Sequence, residues 1–319
     1  MIQKLKAVIK TILIYLYDFY ADLRYSTLVS GEDSQEKMLS SLVVSAHTIE
    51  KGLTMPNKRF PFGENKAMEI LQKCKLYIDK GYSSSESRFI DVVGIMKEYR
   101  DVTKAHGFTS PQLNNYIDNL LQCVSDDVNL SQRYSVTFSD YFSQSSAEFM
   151  YFSNSRHSCR NLIGHVNDEV LKQAIALSMN APSTCNRQSH RVHLLQSQQA
   201  KNAILSIQGG CRGFGDLADQ FILLTSDLSC WSSGPVRNGP YVDGGIYLMN
   251  LLYCLHHYKI AACTLNLYLD RVKTKQLHVK LNIPFNEVPI ALIAIGIPPM
   301  EFDLARSHRR DSDEIITNH

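Results

Sequence analysis

Residues 181–188 read Ala181-Pro182-Ser183-Thr184-Cys185-Asn186-Arg187-Gln188, and the texture of the chain changes on either side of them. Before them, 168–180 carries helical spacing that runs out near Asn180; after them, 191–196 alternates as a short strand. A proline followed by small polar residues gives a loop that exposes backbone and short hydroxyls. Such a loop can hydrogen-bond the polar edge of a planar heterocycle, and it is equally a plain helix-to-strand connection. Further out, 220–225 with its Phe-Ile-Leu-Leu run reads as a buried strand, 243–258 as a helix and 288–297 as a strongly apolar strand. Strands alternating with helices make 151–319 a layered α/β or α+β domain.

The preceding half announces helices. Ile2, Leu5, Ile9, Ile12, Leu16, Phe19 and Leu23 alternate spacings of three and four, so they share one helix face. Val8, Leu13, Ile14, Tyr15, Tyr17 and Tyr20 widen that face beyond a coiled-coil seam. The spacing predicts a helix packed on its own domain or on a partner subunit. Peripheral attachment to a membrane is the other option, because Lys4, Lys6 and Lys10 suit anionic lipid. Asp33 with Glu36, and Ser83 with Glu86, form capping-box patterns; Gly52 stands where a helix would close, and Ser110-Pro111 pairs an N-cap with a first-turn proline. No convincing alternating strand occurs before about residue 150. Residues 1–150 are therefore expected to form an all-α domain, with the boundary in the serine-rich stretch around 143–155.

Composition removes several classes. In 319 residues, 33 Lys and Arg against 31 Asp and Glu leave a net charge of +2, too little for a whole-chain field that would hold nucleic acid. The eight cysteines contain no C-x-x-C pair and read as reduced thiols of a cytoplasmic protein. No metal site is expected: His190 and His193 are three apart but lie in a strand segment. The apolar stretch 11–17 lacks a cleavage site and is shorter than the roughly 18–20 residues of a membrane span, so secretion is not expected. A dinucleotide-binding glycine fingerprint, a Walker A loop, a nucleophile elbow and an H-E-x-x-H helix are all missing.

Two further clusters carry chemistry. Arg156-His157-Ser158-Cys159-Arg160 offers forked donors and a hydroxyl, which suit a phosphate or an anionic ring edge; a solvated charged turn is the plainer reading. Asp243-Gly244-Gly245 opens a helix, and 261–266 follows as Ala-Ala-Cys-Thr-Leu-Asn; the paired glycines permit close approach of a neighbour or a ligand.

Taken in order and spacing, Arg156-His157-Ser158-x-Arg160, the 181–188 loop, Asp243-Gly244-Gly245 through Asn266 and the closing 289–298 strand resemble the nitroreductase family of flavin enzymes. The resemblance covers about 150–319. It implies an α+β fold with a mostly antiparallel sheet flanked by helices, an intertwined homodimer, and FMN at the subunit interface. Carried over by position, Arg156 and Ser158, with His157 between them, would hold the phosphate side of FMN. Arg160 would sit beside the N1–C2 carbonyl edge, where reduced flavin gathers negative charge. Pro182, Ser183, Thr184 and Asn186 would line the isoalloxazine and ribityl, and the backbone at Leu265 and Asn266 would place an N–H near N5. Arg306, Arg309 and Arg310 are candidates for the phosphate, with Arg309 favoured.

The implied activity is hydride transfer from NADH or NADPH, through FMN, to an electron-poor small molecule. No catalytic acid is identified, although His157 and His190 are candidates. Two positions depart from the family: Ser189-His190 stand where many relatives have proline-tryptophan, and Cys211 stands where an asparagine often meets the flavin pyrimidine. Residues 46–53 (Ala-His-Thr-Ile-Glu-Lys-Gly-Leu) and 59–63 (Arg-Phe-Pro-Phe-Gly) resemble the extension on nitroreductase-like proteins associated with bacterial surface-polysaccharide genes, so a polysaccharide-assembly partner is a further expectation. The alternatives are a non-catalytic dimer of the same fold acting as a scaffold, and a flavin enzyme that acts on a sugar or its nucleotide conjugate without a nicotinamide.

Overall fold

The computed structural model describes residues 2–124, 132–232 and 234–319. The helices α1 (Ile2–Tyr25), α2 (Thr27–Ser30), α3 (Gln35–Leu53), α4 (Glu64–Asp79), α5 (Ser87–Ala105) and α6 (Pro111–Leu121) come first. Then follow β1 (Arg133–Thr137), α7 (Phe138–Tyr141), α8 (Phe149–Ser155), α9 (Asp168–Ser178), β2 (His190–Leu195) and α10 (Gln198–Leu205). The chain closes with β3 (Gln220–Asp227), α11 (Gly239–His257), β4 (Ala261–Leu265), α12 (Arg271–Leu281), β5 (Glu287–Gly296) and β6 (Glu301–Ala305). It divides into two compact units, one of Met1–Tyr17 with Val136–Phe302 and the other of Asp18–Ser135 with Asp303–His319.

The first unit is α+β. Its sheet has the order β2-β3-β5-β4, with every neighbouring pair antiparallel. Seven consecutive residues of β3, from Gln220 to Ser226, are buried, so both faces of this inner strand are covered. On one face α9 and α11 pack Leu171, Tyr247 and Leu251 against Ile222, Leu224 and Ile293. Between β3 and β5 the register slips: Leu224 faces Ala291 but Thr225 faces Pro289, leaving Ile290 as a bulge. The bulged Ile290 lies against Gly244 of α11, where a Cβ would come within 2.8 Å of it. Gly244 is thus a packing device, whereas a Cβ on Gly245 would meet nothing within 4 Å.

The second unit is built on α3–α6, whose core includes Leu39, Leu42, Ile70, Leu71, Phe89 and Met96, with Tyr77 stacked on Phe89 at 4.7 Å. Several sequence expectations shift here. Ser34, not Asp33, caps α3 by accepting from the Lys37 N–H; Asp33 instead pairs with the Lys37 ammonium at 2.8 Å. Gly52 does not end the helix, which runs on to Leu53; it lies against the ring of Phe62, which a side chain at 52 would strike. Ser83 and Glu86 form no capping box. The α5 N-terminus is capped by Glu314, which accepts from the Ser87 N–H and hydroxyl at 2.9 Å each. Ser110 caps α6 as expected. Contrary to the expectation of no strand before residue 150, β1 pairs with β6 as a two-stranded sheet. No residue of α1 is buried, and of its apolar stripe Leu23 is partly covered while Ile2, Leu5, Ile9, Ile12, Leu16 and Phe19 are exposed.

Residues 303–319 are moored within this second unit. Asp303 pairs with Lys58 and Arg133, and the Ser307 N–H and hydroxyl donate to Glu50 at 2.8 and 3.0 Å. Burial alone would raise the Glu50 carboxyl, but hydrogen bonds with His47 and Ser307 outweigh it and hold Glu50 below the usual range. Nearby, burial and then the Glu50 charge push Asp91 up to about 6, while His308 and Arg309 pull the other way. Asp91 Oδ1 and Gln132 Oε1 have no hydrogen-bond partner.

A folded pKa above the unfolded value means that ionised Asp91 costs stability. The cost is absent below about pH 4, grows as pH rises, and is complete above about pH 6. Asp91→Asn is therefore expected to stabilise the protein near pH 7 by on the order of 2 kcal/mol, with the gain vanishing near pH 3. Urea melts of both proteins at the two pH values check this; a gain of equal size at both would contradict it.

Candidate functional site

The loop after α9 is bent by three non-glycine residues in the left-handed region, Cys185 (φ 50°), Asn186 (φ 56°) and Gln188 (φ 50°). Conformations of this kind persist only when their surroundings over-determine them. Asp243, on α11 and only 3% exposed, supplies that constraint. Its carboxylate accepts from the Ser183 hydroxyl (2.8 Å), the Thr184 N–H (2.9 Å) and the Thr184 hydroxyl (2.7 Å). Ser183 Oγ in turn accepts from the Gln188 N–H at 2.8 Å. The polar atoms of Ser183 and Thr184 thus shape the loop, while Pro182 and Asn186 are exposed. Arg187 donates to the Cys230 carbonyl at 3.2 Å and lies over the Trp231 ring.

The departure at Ser189-His190 turns inward. Ser189 shares a hydrogen bond with Ser226 at 2.9 Å, and His190 stacks on Tyr247 with ring centroids 3.9 Å apart. Burial, then Arg191, lowers the His190 pKa, so the ring is neutral near pH 7. That setting removes it as a proton donor. Cys211 is also buried, packed beside Gly215 and Leu205, along a cleft of about 270 Å³ that includes Gln208, Arg212 and Lys273.

The 156–160 segment leaves the end of α8 and is fixed to the sheet by Cys159, whose N–H donates to the Ala262 carbonyl on β4 at 3.0 Å. Burial pushes the Cys159 thiol up to about 12, which makes it inert as a nucleophile. Arg156, His157 and Ser158 are partly exposed, and the Tyr141 hydroxyl donates to the His157 carbonyl at 2.7 Å. His256 on α11 reports the positive charge here: burial, then Arg156 and His157, press its pKa down to about 4. Arg160 is only 6% exposed, and its Nε has no acceptor.

Leu265 ends β4 and is buried; the Asn266 carbonyl accepts from Gln208 Nε2 at 2.9 Å. Thr264 Oγ1, one position earlier, is buried without a partner. Both the 156–160 segment and the 264–266 segment are therefore moored at β4, and the 182–186 loop is moored at α11. Arg309 belongs to the second unit, where it is exposed, donates to the Ser307 carbonyl and helps balance Asp91. Arg306 lies over the Tyr134 ring at 4.9 Å and Arg310 pairs with Glu314 at 3.2 Å.

Sequence reasoning marked Asp243 only as a helix start and missed its role as the anchor of the 183–184 turn. Its partners lie about 60 positions earlier, and only the carboxylate beside two glycines hinted at a buried function. Gln208 carried no signal, and Thr264 stood inside the 261–266 cluster without being singled out. Among the described residues, no group of three or more His, Cys, Asp or Glu side chains is placed to hold a metal, and no helix is long and apolar enough to cross a membrane.

No protein-family model and no curated protein matches the chain. Solved structures do resemble part of it. A protein of Staphylococcus epidermidis named as an NAD(P)H:FMN oxidoreductase is 16% identical over 54% of this chain and 96% of its own, with a TM-score of 0.49. A protein of Exiguobacterium sibiricum named as a nitroreductase, crystallised in complex with FMN, is 15% identical over 55% of this chain and 98% of its own, at 0.47. A nitroreductase family protein of Streptococcus pneumoniae is 20% identical over 54% and 100%, also at 0.47. These are partial likenesses at low identity, and the chemistry below rests on the chain's own residues.

Proposed function

We propose that the α+β unit binds FMN and acts as an oxidoreductase that passes hydride from NADH or NADPH to an electron-poor small molecule. The observation that carries this reading is the buried Arg160 guanidinium whose Nε lacks an acceptor. A protein interior leaves such a donor unpaired rarely, and a ring edge with carbonyl acceptors is the kind of group that satisfies it. The unpartnered Thr264 hydroxyl at the adjoining β4 supplies a second donor. The motif resemblance to the nitroreductase family is what names FMN as the group.

Bound there, FMN would supply two-electron chemistry, taking up hydride and giving it back. The protein's part is charge and position. Arg160 offsets negative charge on the ring edge, where a fixed cation costs no reorganisation. Arg156 and Ser158, with His157, would hold the phosphate side, and Asp243 fixes the loop that presents Pro182, Ser183, Thr184 and Asn186. The backbone of Leu265 and Asn266 would face the hydride-carrying atom. No side chain is assigned as a proton donor: Cys159 is held protonated, and His190 and His256 are held neutral.

A homodimer, a cytoplasmic setting and a link to surface-polysaccharide assembly belong to the same proposal. The eight free thiols favour a reducing compartment, and residues 46–53 and 59–63 supply the polysaccharide link by resemblance. The scaffold alternative draws on the departures at Cys211 and Ser189-His190, all three of which are buried. Anaerobic mixing of the FMN-loaded protein with NADH, and separately with NADPH, tests the donor. Bleaching of the flavin band by one of them is expected; a band unchanged by both would contradict hydride transfer from a nicotinamide.

A further inference from the structure

We propose that α1 lies lengthwise on an anionic lipid surface, with its apolar stripe seated among the acyl chains. Which side of the helix meets the chain is the deciding observation. Thr11 and Ile14 are partly covered, and a Cβ on Gly234 would lie 3.3 and 3.8 Å from them. The stripe of Ile2, Leu5, Ile9, Ile12, Leu16 and Phe19 points elsewhere, with each side chain between 49% and 70% exposed. The helix thus turns its smaller, more polar side to the chain and its most apolar side away, the reverse of ordinary packing.

The width and the charges of that face select the occupant. At 3.6 residues per turn, the apolar arc from Tyr15 through Phe19, Leu5 and Ile9 to Leu13 spans about 160°. A two-stranded coil needs a narrower seam flanked by charges; of the six flanking positions here Val8, Leu13, Tyr15 and Tyr20 hold four, and only Lys6 and Asp22 are charged. Lys6, Lys10 and Arg24 sit along one border of the arc and Lys4 beside the other, where long stems let the ammonium reach phosphate while the stripe is buried. Of the two acids of the helix, Asp18 lies away from the arc and Asp22 lies on the same border as Lys4, so the helix carries four basic groups along the borders against one acid. A broad apolar face with basic borders fits a lipid interface better than a second copy of the same helix, whose lysines would repel.

Flotation of the full chain with vesicles tests this. Co-flotation is expected with equal parts phosphatidylglycerol and phosphatidylcholine, and about tenfold weaker with phosphatidylcholine alone or in high salt. Lys6→Glu with Lys10→Glu should lower partitioning by at least about tenfold, and Ile9→Glu with Leu16→Glu should abolish it. All four positions are exposed, so unchanged circular dichroism is expected. Failure of the unaltered chain to float with anionic vesicles would overturn the proposal. So would a stripe variant that converts an oligomer to a monomer by light scattering without any vesicle binding, because a second copy would then be the cover.

Discussion

Asp243→Ala is expected to destabilise the α+β unit by about 3 kcal/mol, lowering its melting midpoint by roughly 6–12 °C. One buried carboxylate accepts three hydrogen bonds from Ser183 and Thr184, and hydrogen bonds to a charged acceptor are worth more than neutral ones. Its loss strands those donors and removes what keeps Cys185, Asn186 and Gln188 in the left-handed region. The loop is then expected to relax toward ordinary conformations, so the amides of 183–188 should exchange with solvent far faster. Asp243→Asn keeps one accepting oxygen and should fall between the two. Thermal melts and amide exchange check both variants; a midpoint and exchange rates equal to those of the unaltered protein would show that the loop holds itself.

Arg160→Met is expected to separate binding from stability. In the flavin-free protein the buried Nε lacks an acceptor, so an apolar side chain of similar length should leave the melting midpoint unchanged or raise it. FMN affinity, by contrast, should fall by about 10- to 100-fold, the worth of a hydrogen bond to a charged group. Fluorescence titration with FMN and melts of the flavin-free protein give the two readings. A structural arginine would show the opposite pair: a lowered midpoint with affinity untouched.

The parts legible in the sequence were those whose cause is local. β3 and β5 announced themselves because strands covered on both faces must be apolar throughout, and Ser110-Pro111 capped α6 because cap and helix are adjacent in the chain. The parts not legible were those whose partner is distant. β1 alternates only across Arg133-Tyr134-Ser135-Val136-Thr137, too short a run to stand out, and its partner β6 comes from far along the chain. The start of α5 is capped by Glu314, which no reading of residues 83–87 could supply. The same holds within the site. The motifs pointed to Ser183 and Thr184 as ligand contacts, but only the fold reveals that Asp243 occupies their hydrogen-bonding atoms. For α1, periodicity identified the apolar side, but the expectation that this side packs on the chain's own domain fails, because the chain covers Thr11 and Ile14 instead.

Incubating the purified chain with FMN, passing it through a desalting column and reading the absorption spectrum tests flavin binding most directly. About one FMN per chain should remain with the protein, its flavin band shifted from that of the free cofactor. A protein that emerges colourless, and that leaves the fluorescence of added FMN unquenched, would contradict it.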